Sequence, residues 1–222
     1  MQYLYHPESG ADMLILCGDK HRYIFKVRRH RQGKIIALRN LNDQNLYRYE
    51  IVSINKKEAH LQLKSAEEKI VQAAKKLHIG WCLIEPKNIE KILPSLNEIG
   101  VAKITFIHCN RSQKSFKLDF KRLEKILLNS SQQSGRSAMM KLDQLPSLAQ
   151  FIKKYPKSYM LNFSNQNLTE SLDIETIVVG CEGGFSKDEE ALFSLDKIVG
   201  FSTPLILKSE SAVCAVASKI LL

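Results

Sequence analysis

No uninterrupted apolar run in the 222-residue sequence approaches the roughly 18 residues that a membrane span needs, so membrane insertion is not expected. The first ten residues, MQYLYHPESG, lack the basic stretch and apolar core of a secretory leader, which argues against export. Cysteines are few and scattered, at positions 17, 82, 109, 181 and 214, and never form a CxxC pair. That pattern argues against a disulfide framework and a zinc knuckle, and it fits a reducing cytosol; a cytoplasmic location is expected. Phosphate cradles of the GxxxxGKS/T and GxGxxG kinds are missing, which removes support for a P-loop nucleotidase or an ordinary dinucleotide site. Neither HExxH nor GxSxG occurs, and no His/Cys cluster has metal-ligand spacing, so zinc-dependent or serine hydrolysis is unsupported and no metal is expected.

What the chain does contain is apolar material and positive charge. It is 44% hydrophobic and 25% charged, the profile of a globular protein. Thirty-three Lys and Arg against 23 Asp and Glu give a net charge of +10, and the pI is near 9.3, a field that attracts polyanions. The length suits two domains. Up to about residue 64, apolar residues come in bursts of strand length (13–17, 34–38, 46–54 and 59–63), separated by turn residues; this predicts a small antiparallel barrel. One segment, His21 to Arg29, reads instead as a short helix after Asp19, with Ile24 and Val27 facing inward.

Residues 65–77 read as a charged connector, and beyond them strands alternate with helices. The expected boundary separates domain 1–66 from domain 67–222. Apolar runs at 78–84, 103–109, 158–163, 176–181 and 204–208 predict buried strands; helical patterns fall at 88–99, 119–134, 146–155, 186–195 and 209–222. Together they predict an α/β layer structure. Ser186 and Glu189 form a capping-box pattern, while Pro94 inside helix 88–99 removes a backbone bond and should kink it.

Lys20, Arg22, Lys26, Arg28, Arg29, Arg31, Lys34 and Arg39 lie within twenty residues that contain no acid. The cluster reads either as a landing surface for a phosphate backbone or as a solvated face, and mutual repulsion among the cations favours the first. Gly180-Cys181-Glu182-Gly183-Gly184-Phe185 follows the apolar run Ile177 to Val179 and precedes the capped helix. Glycines at a strand's carboxyl end let backbone approach a ligand, although Gly183-Gly184 by itself also suits a tight turn. A second edge, Leu205-Ile206-Leu207-Lys208-Ser209-Glu210-Ser211-Ala212, leads into a helix of small residues.

These two segments together resemble the bacterial 16S ribosomal RNA uracil-N3 methyltransferases, a branch of the knotted SPOUT superfamily, in which they usually read GPEGGF and RILRTETA. Further matches run in order along nearly the whole chain: His21, Val27, Arg29 and Gly33; Asn97-Glu98-Ile99-Gly100-Val101; Arg111-Ser112; and Gln133-Ser134-Gly135-Arg136. The resemblance implies an α/β protein with an N-terminal PUA-like β-barrel that binds RNA and a C-terminal SPOUT domain with a deep trefoil knot. It also implies a homodimer with two sites at the subunit interface, S-adenosylmethionine as cofactor, and 16S rRNA or the small ribosomal subunit as partner. Leu161, Gly180, Cys181, Glu182, Gly183, Gly184, Leu205, Ile206, Leu207, Ser209, Ser211 and Ala212 would surround the cofactor. His21, Arg22, Lys26, Arg28, Arg29, Arg31, Arg111 and Arg136 would meet RNA.

The implied reaction must deal with the proton that uracil N3 carries at neutral pH. Arg136, reaching from a partner subunit, is expected to stabilise charge on the base, and Glu210 or Glu182 to orient or accept the proton; the glutamates also suit simple capping of neighbouring backbone. The chain departs from the pattern at Cys181 (usually Pro), Leu205 and Lys208 (Arg), Ser209 and Ser211 (Thr), and Thr203, where Gly is common. Lysine keeps the charge at 208 but loses the guanidinium fork. Thr203 adds bulk at the cofactor edge. Two alternatives stay open at this point: the same fold acting on another RNA, and a non-catalytic rRNA-binding or assembly protein.

Overall fold

The apolar bursts of the first sixty residues form strands. In the computed structural model, which describes residues 1–169 and 172–222, the chain divides into two units. The first comprises Met1–Gln72 with Ser131–Ala138; the second comprises Ala73–Ser130 with Met139–Leu222. Each is described by itself.

The first unit contains β1 (Leu4–Tyr5), β2 (Met13–Cys17), a one-turn helix α1 (Gly18–His21), a π-helical turn (Arg22–Val27), β3 (Ile35–Arg39), β4 (Asn45–Ile54) and β5 (Glu58–Glu68). They make one sheet in the order β1-β3-β4-β5-β2, antiparallel except for the β1-β3 pair. Register shifts at Arg48/Tyr49 and Ile51/Ser53 bend the long β4-β5 ribbon, so the sheet curls. Alternation sends Leu14 and Leu16 inward to join Leu38, Tyr49, Ile51 and Leu61 in the core. β5 runs four residues into the segment expected as connector. The expected helix at 21–29 is a helical turn followed by a π turn, and Val27, expected inside, is exposed. Residues 131–138 return to this unit: Gln132 accepts backbone bonds from Gln2 at 2.8 Å through its carbonyl and from Tyr5 at 2.8 Å through its side chain. A return of this kind leaves no trace in hydrophobic periodicity.

The second unit is an α/β layer structure, as its alternating pattern predicts. Its strands are β6 (His78–Cys82), β7 (Lys103–Ile107), β8 (Lys141–Leu145), β9 (Tyr159–Leu161), β10 (Thr176–Val179) and β11 (Ile198–Val199), all parallel in the order β11-β9-β10-β6-β7-β8. The central strands are apolar on both faces because helices cover them, and Trp81, Phe106 and Val178 are fully buried. The helices are α2 (Pro86–Ile99), α3 (Phe120–Ser134, of which residues 131–134 count with the first unit), α4 (Leu148–Lys154), α5 (Lys187–Glu190) and α6 (Ser209–Leu221). Helix α2 starts on Pro86, runs through Pro94 and stops at Gly100, whose φ of 116° suits the left-handed cap.

Two expectations are corrected. Residues 204–208, expected as a buried strand, form no strand and are exposed, Leu205 at 72% and Ile206 at 81%; the two-residue β11 holds the sheet edge instead. Cys82 and Cys109, 27 residues apart, form a disulfide, with Cα atoms 5.7 Å apart. Spacing in sequence concealed them, because β6 and β7 are adjacent parallel strands that carry both cysteines to the same sheet edge.

Candidate functional site

All six strands point their carboxyl ends to one edge, and chain order reverses around β6, with β7 and β8 on one side and β10, β9 and β11 on the other. Parallel sheets bind ligands at such an edge. A cavity of about 670 Å³ opens there, within the size range of small-molecule sites. Three loops and one helix build it: residues 162–165 after β9, 180–185 after β10, 200–208 after β11, and the first turn of α6.

Most of the expected cofactor residues meet here. Leu161, Gly180, Cys181, Glu182, Gly184, Leu205, Ile206, Leu207, Ser209 and Ala212 line the cavity. Gly183 and Ser211 do not. Gly183 lies under Arg111, whose guanidinium donates to the Gly183 carbonyl at 2.6 Å, and Ser211 is exposed on α6. Gly184 has a φ of 67°, a left-handed conformation that side chains disfavour, and its N–H donates to the Cys181 carbonyl at 2.9 Å. That bond closes the tight turn; the same residues serve both readings of the glycines.

The loops are tied to one another by side chains. Ser209 Oγ donates to the Gly180 carbonyl at 2.5 Å and accepts from Trp81 Nε1 at 2.9 Å, joining the start of α6 to the end of β10 and to β6. Ser186 and Glu189 make the expected capping box, and Glu189 also accepts from the Asn110 N–H at 2.8 Å. Asn162 Nδ2 donates to Glu190 Oε1 at 2.9 Å. At Gly200, an added Cβ would lie 2.9 Å from the Asn162 carbonyl oxygen and 3.0 Å from the Ser164 backbone, so this glycine allows the β9 and β11 loops to touch.

Sequence reasoning missed most of the first loop. Asn162, Phe163, Ser164 and Asn165 line the cavity, together with Phe185, Phe201, Thr203 and Lys208. The available signal was a polar tetrad directly after a buried strand at the ligand-binding edge. The Thr203 hydroxyl, whose bulk was the concern, accepts from the Leu205 N–H at 3.2 Å and shapes the exposed loop.

The expected catalytic residues are not all together. Glu182 lines the cavity and is exposed. Glu210 does not line it; its Oε2 is shut off from solvent without a hydrogen-bond partner among the described residues. Arg136 belongs to the first unit, is 8% exposed and donates from Nε to the Ala138 carbonyl at 3.2 Å. Burial lowers its pKa, partly offset by Tyr3, whose own pKa burial raises to about 12. Among the expected RNA contacts, Arg22, Lys26, Arg28, Arg29 and Arg31 are exposed on the first unit and Arg111 is at the glycine loop. His21 is not on that face: it is buried, its ring 4.8 Å from that of Phe25, with Nε2 3.2 Å from the Asn55 carbonyl. Arg39, counted in the cation cluster, is 1% exposed and donates to the carbonyls of Gln44, Asn45 and Lys69. Among the described residues no group of three His, Cys, Asp or Glu could hold a metal, and no helix is long and apolar enough to cross a membrane.

The RNA methyltransferase domain family matches residues 71–221, and the RNA methyltransferase PUA domain family matches residues 16–64. Fold and site thus define an RNA methyltransferase. Ribosomal RNA small subunit methyltransferase E of Helicobacter pylori is 40% identical over 222 residues, covering 98% of both chains, and its counterpart in a second strain is 39% identical with the same coverage. The chain belongs to the ribosomal RNA small subunit methyltransferase E family. Its fold matches a Legionella pneumophila methyltransferase solved with S-adenosylmethionine (TM-score 0.81, 22% identity, 98% of this chain and 95% of that one). It also matches ribosomal RNA small subunit methyltransferase E of Neisseria gonorrhoeae bound to S-adenosyl methionine (TM-score 0.79, 18% identity, 98% and 96%).

Proposed function

We propose that this chain uses S-adenosylmethionine to methylate N3 of one uridine in 16S rRNA of the small ribosomal subunit, and that it acts in the cytoplasm. The observation that carries the reading is the cavity at the carboxyl ends of β9, β10 and β11. The residues fit the cofactor. Leu161, Val179, Phe185 and Ala212 offer an apolar floor, and the irregular 201–208 segment keeps backbone groups out of any strand ladder, beside the space a purine would fill. When bound, S-adenosylmethionine supplies an electrophilic methyl group on a sulfonium.

The chain's own residues then have two tasks, to hold the uracil and to manage its N3 proton. In this reading Glu182, exposed on the cavity wall, accepts the N3 proton, and Glu210, which does not line the cavity, orients the start of α6. Arg136 neutralises charge on the base from a second copy of the chain. A homodimer is supported by the apolar rim of the cavity, where Phe163 (80% exposed), Leu205 and Ile206 present side chains that a partner would cover. The PUA-like barrel and the deep trefoil knot belong to the same reading, the first supported by the curled sheet of unit one and the PUA family match, the second by the likeness to the methyltransferase structures.

The test is methyl transfer from labelled S-adenosylmethionine to small ribosomal subunits from cells lacking this protein, with nucleoside analysis. Appearance of 3-methyluridine at one site is expected. Salt-sensitive RNA association without cofactor binding or transfer would point instead to a non-catalytic rRNA-binding protein, and transfer to a different RNA would replace the substrate.

A further inference from the structure

The turn after β7 is anchored by its own bonds and by α5. Cys109 is joined to Cys82, the Ser112 N–H donates to the Cys109 carbonyl at 3.0 Å, and Ser112 Oγ accepts from the Cys109 N–H at 3.3 Å. Asn110 ties this turn to the start of α5: its backbone N–H donates to Glu189 Oε1 at 2.8 Å and its Nδ2 to Ser186 Oγ at 2.8 Å. Ser112 and Glu189 are buried, where hydrogen bonds are strongest, so the backbone of residues 109–112 has little freedom.

Arg111 reaches from this turn onto the glycine loop. Its stem lies along Gly183, where an added Cβ would come 3.2 Å from Arg111 Cβ and 3.4 Å from Cδ, and Nη1 donates to the Gly183 carbonyl at 2.6 Å. The residues flanking Gly183, Glu182 and Gly184, both line the cofactor cavity. Fixing the Gly183 peptide therefore fixes the wall on either side of it. A guanidinium presents several donors in a planar fork, and this contact spends only one. Arg111 is exposed, and no other hydrogen bond or ion pair holds it among the described residues. The exposed chain beyond it carries Lys114 and Lys117, and residues 110–118 contain no acid. A fork with free donors in a basic segment suits a phosphate oxygen, and the RNA proposed as substrate brings one.

We propose that Arg111 is a positioning residue shared between cofactor and RNA: Nη1 holds the glycine loop in its cofactor-binding shape while the free donors take an RNA phosphate. Each contact orders the same long side chain, so the one that forms first spares the other that loss of freedom, and RNA and cofactor bind cooperatively. The inference rests on the proposed action on RNA, and its test separates the two.

The experiment is equilibrium dialysis of labelled S-adenosylhomocysteine, the cofactor without its transferable methyl group, against the full chain with and without unmodified 16S rRNA transcript. RNA should tighten this ligand about fivefold, the low end of couplings between sites, and the ligand should tighten RNA by the same factor. Arg111→Ala should weaken the ligand alone about threefold, as the loss of one exposed hydrogen bond does, and should remove the coupling. Arg111→Lys keeps the charge but has no fork to reach two acceptors, so it should retain the salt slope of RNA binding and lose the coupling. Thermal melts confirm that both variants fold. Equal ligand affinity with and without RNA in the wild-type chain overturns the proposal with no variant at all, and so does coupling that survives in Arg111→Ala. Cooperative binding through Arg111 by a chain that forms no 3-methyluridine would sustain the inference and sink the proposed reaction. Normal 3-methyluridine formation by Arg111→Ala, with an unchanged KM for S-adenosylmethionine, would do the reverse.

Discussion

Ser209→Ala is the substitution with the most specific consequence. The hydroxyl makes two bonds, to the Gly180 carbonyl and from Trp81 Nε1, and both Ser209 and Trp81 are buried, at 4% and 0% exposure. Removing it leaves the indole N–H shut in a core with no acceptor, a loss of about 1–3 kcal/mol. Gly180 lines the cavity and is only half-buried, so water replacing the lost bond to its carbonyl leaves a few tenths at most. A total near 2 kcal/mol should lower the melting temperature by about 4–8 °C for a chain of this size. The same loss frees the start of α6 from the end of β10, two walls of the cofactor cavity, and a share near 1.4 kcal/mol would raise the Kd for S-adenosylmethionine about tenfold. Differential scanning calorimetry and titration calorimetry read the two effects. Ser209→Thr, which keeps the hydroxyl, should restore most of both. A Ser209→Ala protein that melts within about a degree of the parent and binds the cofactor normally would refute the reasoning, because the buried indole would then have cost nothing.

Other predictions concern the loops, the dimer and pH. Gly200→Ala puts a methyl group within 3.0 Å of the Asn162 and Ser164 backbone, so it should weaken cofactor binding by at least about tenfold, measured by calorimetry, while leaving the first unit's RNA affinity unchanged. Arg136→Ala should abolish transfer but not cofactor binding. Mixed with a Gly184→Val chain, which cannot hold the turn, it should recover about a quarter of wild-type activity if each site uses two copies, and none if it does not. His78 gives the pH dependence. Burial first, then Lys103 and Lys154, against an opposing Asp143, lower its pKa to about 4, whereas the unfolded chain binds that proton near 6.5. Its contribution to stability is therefore complete above about pH 6.5 and is lost as pH falls from there towards 4, by about 1–2 kcal/mol at pH 5. Urea denaturation at pH 7.5 and pH 5 checks this, and His78→Gln should flatten the difference.

Much of the site was legible because its chemistry is written in local strings. A strand of Thr176 to Val179 followed by three glycines and a capping box forms the same turn in almost any α/β setting, since glycine conformation and helix capping act over a few residues. The cation cluster was equally visible, as charge needs no fold to be counted. Its use was not: Arg39 and His21 occupy positions that point them into the first unit, and only strand register and the helical turn decide that. The loop after β9 escaped notice for a related reason. Asn162 to Asn165 form an ordinary polar stretch until parallel pairing brings Leu161 level with Val179 and Val199.

By itself the sequence determined most of the element types, the α/β character of the second unit, the two strings that wall the cavity and the family to which they belong. These depend on periodicity, turn chemistry and capping, which are short-range. Tertiary structure alone decided that Cys82 meets Cys109, that residues 131–138 return to the first unit, that 205–207 stay exposed at a cavity rather than buried in a strand, and that Ser209 bonds Trp81 across 128 positions. Each of these joins residues far apart along the chain, and such pairings come from sheet order and packing, to which no single stretch of sequence refers.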